Sequence, residues 1–227
     1  MTTLRIVHFS DILCVWAYVG QSNLEKLEEE FGSTVHVETR FCSVFPNSHG
    51  KIEKMWLDRG GFDGYADHVR QVVDGFPDIE LHVDAWTKAR PKSSASPHLF
   101  VKALELVQGE TITSAELQSL TSKAVRKLRT AFFAEGKDVA NWSAQKEICA
   151  RLDVNFEDVR AKIETGEAIA RLAADYELAQ SMNVRGSPTY ILNEGRQFLF
   201  GNVSYAILKA NVLELLTEQT DLNATPC

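Results

Sequence analysis

The clear strand-forming stretches of this chain lie near its two ends, and that separation constrains the fold more than any other feature. "LRIVHF" (Leu4–Phe9) is a compact apolar run suited to a buried strand. From Thr34 to Phe41 the pattern alternates, with Val35, Val37, Thr39 and Phe41 on one face and His36, Glu38 and Arg40 on the other. The next clear strands, "TYIL" and "QFLF", flank the turn "NEGR" near the far end. One short extended piece is expected between them, in "DIELHVDAW". Strands this far apart can share a core only if the ends close on each other. The outcome is an α/β fold: one mixed four-stranded sheet with helices on both sides, carrying a large all-helical insertion. The boundaries expected are 1–50 and 165–227 for the sheet-bearing unit and 51–164 for the insertion.

Helical periodicity fills the rest. Leu24, Leu27 and Phe31 recur at helical spacing between Ala17 and Phe31, and Gly32 stops the run. "FPNSHG" and "DRGGFDG" read as loops. Ser96 and Pro97 fit an N-cap and first helical residue, and Thr113 with Glu116 fits a capping box. "NWSAQKEICARL" and "NFEDVRAKIETG" are shorter helices. Ile169, Leu172, Tyr176 and Ala179 give a stripe over Glu167–Asn183; Ile207, Leu208, Val212, Leu215 and Leu216 give another after Ser204.

The net charge of −7 and the lack of any basic run exclude a nucleic-acid surface. No stretch approaches the ~18 apolar residues of a membrane helix. "MTTLRIVHFSDIL" lacks the basic, apolar and small-residue segments of a secretion signal, so the expected compartment is the cytoplasm. The four cysteines, Cys14, Cys42, Cys149 and Cys227, form no CxxC pair and no zinc-like cluster. Structural disulfides are not expected in a reducing compartment.

Cys14 is the residue with chemistry. It follows the first strand and begins a helix, where free backbone N–H groups and the helix dipole stabilise an anion. A thiolate so placed has its pKa lowered from ~8.5 toward neutrality. Position alone equally fits an inert, buried cysteine. Trp16 and Tyr18 border it. Far along the chain, "VRGSPTYIL" puts Pro188 immediately before a strand that must lie inside the sheet.

Four stretches together resemble the thioredoxin superfamily, and within it the cytoplasmic DsbA-like branch of FrnE type. "FSDILCVWAYVG" resembles the D-x-x-C-P-W-C-Y-x-G active-site turn, and "VETRFCSVFPN" the second strand and its exit. "LRTAFFAEGKDVANWSAQKEICARLDVN" resembles the helical insertion, and "VRGSPTYILNEGRQFLFGN" the cis-proline loop and hairpin. The resemblance implies a thioredoxin-like fold with Cys14 as attacking thiol. Trp16, Ser187 and Pro188 would contact substrate, and Ala17 stands where the resolving cysteine belongs. A dithiol enzyme releases its mixed disulfide through that second cysteine. Without it, three outcomes stand: glutathione as co-substrate resolves Cys14 by monothiol exchange, Cys42 resolves it, or the site only binds. Kappa-class glutathione transferases and 2-hydroxychromene-2-carboxylate isomerases share the architecture, so a glutathione-dependent isomerase or transferase of small aromatic or polyketide-like compounds is the alternative enzyme. Expected partners are a small thiol or a protein disulfide, with a homodimer compatible with the helical faces. No tightly bound cofactor and no metal are expected. His98 reads as a solvated or capping residue, "KAVRKLR" as a solvated helix face, and Cys149 as core.

Overall fold

The computed structural model describes residues 3–109 and 114–218. Four strands, β1 (Leu4–Ser10), β2 (Val35–Phe41), β3 (Thr189–Leu192) and β4 (Gln197–Phe200), form one sheet in the order β2-β1-β3-β4. β1 and β2 run parallel, with Leu4 opposite Val35 and Ser10 opposite Phe41. β3 lies antiparallel to β1, Phe9 facing Thr189, and β4 closes the hairpin with Phe200 facing Thr189. The two ends of the chain therefore do build one mixed sheet.

Period-two alternation gives the sheet two apolar faces. On one, Leu4, Ile6, Val35, Val37, Tyr190 and Leu192 pack against Leu24 and Leu27 of α2 (Gln21–Phe31) and Leu208, Val212 and Leu215 of α10 (Tyr205–Glu218). On the other, Val7, Phe9, Cys42 and Ile191 meet Ala179 of α9 (Glu167–Ser181). Each large aliphatic side chain buried this way contributes about 1.5–3 kcal/mol. The short α1 (Val15–Val19) precedes α2, and Gly20 separates the two where one continuous helix was expected. A Cβ at Gly20 would stand 2.8 Å from Asn202 Oδ1 and 3.0 Å from Trp16 O, so a side chain at the break would displace Asn202.

Between β2 and β3 lie α3 (Ser48–Met55), α4 (Gly61–Asp74), α5 (Ala95–Gln108), α6 (Ser114–Arg129), α7 (Trp142–Leu152) and α8 (Phe156–Glu164). α6 runs on into one π-helical turn, Thr130–Ala134. Their core gathers Trp86, Phe100, Phe132, Phe133, Ile148 and Cys149 and includes Ile12, Leu13, Val15 and Val19 from the chain leaving β1.

Several expectations need correction. "FPNSHG" is partly helical because Asn47 caps α3, its Oδ1 accepting from Gly50 N at 3.0 Å. "DRGGFDG" spans a 3-10 turn and the start of α4, since Gly60 at φ 88 makes the connection. "DIELHVDAW" is a turn-rich loop with one isolated bridge, Ala85–Ala89, and no strand. α5 begins at Ala95, two residues before Pro97, behind Ser94. Ile169 is 59% exposed and Ile207 47%. The buried stripe of α9 is instead Ala168, Leu172, Asp175 and Ala179. Thr113 of the expected capping box and Cys227 lie outside the described residues.

The rotated α9 stripe buries a carboxylate. Asp175 accepts from Arg40 Nη1 at 2.7 Å, from Phe41 N at 3.1 Å and from Lys102 Nζ at 2.8 Å, tying β2, α5 and α9 together. Asp175→Ala leaves Lys102 buried with Glu105, at 3.0 Å, as its one acidic partner among the described residues. The expected loss is about 3–5 kcal/mol, read from urea denaturation.

Two histidines are also sealed inside. Burial holds His8 neutral, its pKa lowered to about 3, with Arg129 adding to the effect. Burial likewise lowers His98 to about 4, against an opposing pull from Asp11. In the unfolded chain both gain a proton near pH 6.5. Their contribution to stability is therefore present above pH 6.5 and lost as the pH falls toward 4 and then 3. The urea midpoint should drop over that window, and His98→Gln should flatten the slope; an unchanged slope would rule out His98 as a contributor.

Candidate active site

The site is built where β1 ends. Asp11 N donates to Ser187 Oγ at 2.8 Å, fixing the strand exit to the loop before β3. The Asp11 carboxylate folds back: Oδ1 accepts from Leu13 N at 2.9 Å. Oδ2 accepts from Val44 N at 2.9 Å, Phe45 N at 3.1 Å and Ser94 Oγ at 2.7 Å. Between these anchors Ile12 N donates to His98 Nε2 at 3.1 Å. That bond puts the His98 proton on Nδ1, which faces Tyr176 Oη at 3.0 Å. The imidazole stacks on Phe41 with ring centroids 4.2 Å apart. His98 is therefore neither solvated nor a cap; it holds the turn from beneath.

Cys14 comes next, in extended conformation at the N-cap of α1. Its N–H returns to Asp11 O at 3.2 Å, and its Sγ donates to Ser187 O at 3.2 Å. The Ser187–Pro188 peptide is cis. So the structure brings Cys14 and Ser187, 173 positions apart, into contact. Pro188 O accepts from Gly201 N at 2.9 Å, which sets the loop against the end of β4. A Cβ on Gly186 would come 3.1 Å from the Phe200 ring, so glycine lets this aromatic lie against the loop. Trp16, 40% exposed, stands on the solvent side of the turn, whereas Ala17 is buried. Tyr18 turns away, its hydroxyl donating to Glu80 O at 2.8 Å and its ring stacking on Phe133.

The expectation of a lowered Cys14 pKa does not hold. Burial pushes the thiol up, and the Asp11 charge adds to it. The Ser187 side chain and the Ala17 and Trp16 amides pull it down without prevailing. The reason is local: α1 is only five residues long, so its N-terminal field is small against the loss of water around a cysteine only 6% exposed. At neutral pH the group is a thiol, donating its proton to Ser187 O.

Arg129 is the residue that sequence reasoning missed most completely. In "KAVRKLR" it was expected in solvent, yet it is 1% exposed. Nη2 donates to Ser10 Oγ at 2.9 Å and Nη1 to Gln21 Oε1 at 3.1 Å. Nε finds no acceptor among the described residues. Burial lowers its pKa to about 10, opposed most strongly by the charge that Cys14 carries when deprotonated. The guanidinium thus sits behind β1, held at Ser10 and Gln21. The period of α6 was the available signal: Arg129 lies one position past the Leu128 stripe, at the start of the π turn.

Cys42, at the exit of β2, donates from Sγ to Gly186 O at 3.7 Å. Cys149 is buried in the helical core. All three described cysteines are free thiols. Among the described residues no three His, Cys, Asp or Glu side chains group as a metal site. No described helix is long and apolar enough to cross a membrane.

No curated protein sequence matches the chain. Among solved structures, a probable DsbA oxidoreductase from Streptomyces coelicolor superposes with a TM-score of 0.73 at 17% identity, over 99% of this chain and 94% of that one. The cytosolic disulfide reductase DsbM from Pseudomonas aeruginosa gives 0.66 at 19% identity, over 95% and 98%. A 2-hydroxychromene-2-carboxylate isomerase gives 0.66 at 15%, over 97% and 100%. These likenesses show the shared fold. The family model for the DSBA-like thioredoxin domain matches residues 93–212, more than half of the chain. This chain, with its β2-β1-β3-β4 sheet and Cys14 facing the Ser187–Pro188 loop, belongs to the DSBA-like thioredoxin domain family.

Proposed function

We propose that this protein is a thiol–disulfide oxidoreductase that works through Cys14 by monothiol exchange, with glutathione as co-substrate. One observation carries the reading: the Cys14 sulfur lies 3.2 Å from the Ser187 carbonyl, in a turn held on several sides. In the first step the Cys14 thiolate attacks one sulfur of a substrate disulfide. That S–S bond breaks, the distal sulfur leaves as thiolate, and Cys14 carries the other half. Ala17 offers no sulfur for release. A glutathione thiolate then attacks the sulfur of the bound half, restoring the Cys14 thiolate and leaving a glutathione mixed disulfide. Trp16, Ser187 and Pro188 border the path of the incoming chain. The fold neighbour from Pseudomonas aeruginosa, a disulfide reductase, is also solved with GSH, which supports this choice of co-substrate. The compartment in this reading is the cytoplasm, where that thiol is abundant.

A specific observation favours a second reading. Because burial keeps Cys14 protonated, its S–H can donate to the thiolate of bound glutathione, as a serine hydroxyl would. The isomerase or transferase alternative uses Cys14 in that way.

Cys14→Ser separates the two. Glutathione-dependent reduction of hydroxyethyl disulfide should fall by about 10³-fold or more with the nucleophile gone, while Cys149→Ser keeps the wild-type rate. If Cys14→Ser keeps a glutathione-dependent activity on an aromatic substrate, the second reading replaces the first. Iodoacetamide labelling of Cys14 should rise with pH along a curve centred above the ordinary thiol value of ~8.5, following the upward push of burial. A midpoint below 7 would contradict the described burial. Ala17→Cys should add dithiol activity, measured as insulin reduction with dithiothreitol.

A further inference from the structure

We infer that Cys42 is a second reacting thiol, which resolves the Cys14 mixed disulfide from inside the chain; this rests on the Cys14 attack of the exchange reading above and puts Cys42 in place of glutathione at its release step. The sheet register brings the two residues to one place. Ser10 faces Phe41 across the parallel pair, and Cys42 N donates to Ser10 O at 3.2 Å. The Cys14 N–H returns to Asp11 O, so both cysteines stand one backbone hydrogen bond from adjacent residues, Ser10 and Asp11. Their side chains reach the same loop. Cys14 Sγ donates to Ser187 O and Cys42 Sγ to Gly186 O, two consecutive carbonyls of one loop. Burial holds the Cys42 thiol well above the ordinary value, and the charges of Asp11 and of a Cys14 thiolate add to it, whereas Cys149 is raised by burial alone.

The step balances with a disulfide as oxidant. Cys14 thiolate attacks the substrate disulfide, releasing one thiolate and forming the mixed disulfide. Cys42 then loses its proton to solvent, and its thiolate attacks the Cys14 sulfur. The bond between Cys14 and the substrate sulfur breaks, the second thiolate leaves, and a Cys14–Cys42 disulfide remains. Two electrons have passed from the cysteine pair to the substrate. Two equivalents of a small thiol such as glutathione reset the pair. The mixed disulfide removes the Cys14 charge, while burial and Asp11 still oppose the Cys42 thiolate, so this second step is the slower one and quickens as the pH rises. Closing the pair also withdraws both S–H donors from the loop. Gly186 O keeps Thr189 Oγ1 at 2.8 Å, whereas Ser187 O loses its thiol donor.

The test treats purified full-length protein with oxidised glutathione, blocks remaining thiols, and maps disulfides by mass spectrometry. Wild type and Cys149→Ser should yield a peptide linked through Cys14 and Cys42, with little glutathione on either. Cys42→Ser and Cys42→Ala should accumulate glutathione on Cys14 instead. A wild-type protein holding glutathione on Cys14 while Cys42 remains free to alkylate would overturn the inference and leave the exchange reading standing. Glutathione on Cys14 in neither wild type nor variants, with no linked peptide, would overturn both. The wild-type arm needs no substitution, so misfolding of a Cys42 variant cannot decide the outcome.

Discussion

The carboxylate of Asp11 fastens the sheet, the reactive turn and the helical insertion at one point. It is wholly buried and accepts from the Leu13, Val44 and Phe45 amides and the Ser94 hydroxyl. These donors come from the exit of β1, the exit of β2 and the start of α5. A carboxylate is tolerated without water only when its oxygens are satisfied in this way, and charge-assisted bonds are the stronger kind. The geometry of Cys14 follows from it, since the Cys14 amide hangs on the Asp11 carbonyl. Its negative charge carries a cost to function, because it opposes ionisation of the thiol it positions.

That opposition defines how the site works. Geometry at the start of α1 favours a thiolate, and burial favours a thiol; burial prevails. Arg129 is a buried cation behind the strand, and its Ser10 contact holds it at the end of β1. Ala17, buried beside the turn, carries no sulfur that could meet Cys14. In the proposed exchange, release therefore depends on a thiol that reaches Cys14 from elsewhere, across the Ser187 loop or from β2.

Much of this was legible in the sequence. Leu4–Phe9, the alternation of Val35–Phe41, and "TYIL" with "QFLF" are apolar patterns of period two or compact runs, and the sheet follows them. Cys14 and Ser187 were each visible, and the resemblance joined them across the chain. The polar interior was not legible. Arg129, His98 and Asp175 have side chains that are ordinarily solvated, so nothing local marks them as buried. Only their tertiary partners explain them: Ser10 for Arg129, Ile12 and Tyr176 for His98, and Arg40 with Lys102 for Asp175. Misplacing the α9 stripe at Ile169 had the same origin, since a stripe that includes an aspartate does not read as apolar.

The sheet order has a further consequence for how the chain is made. β1 pairs with β2 soon after both emerge, but its other edge must wait for β3, beyond Ser187. At ordinary elongation rates that wait is roughly 10–40 s, with an apolar strand edge open throughout. The helical insertion emerges during this interval and packs around Ile12, Leu13 and Val15. It can therefore shelter the chain just past β1, including the turn that holds Cys14, before the strand that completes the sheet has left the ribosome.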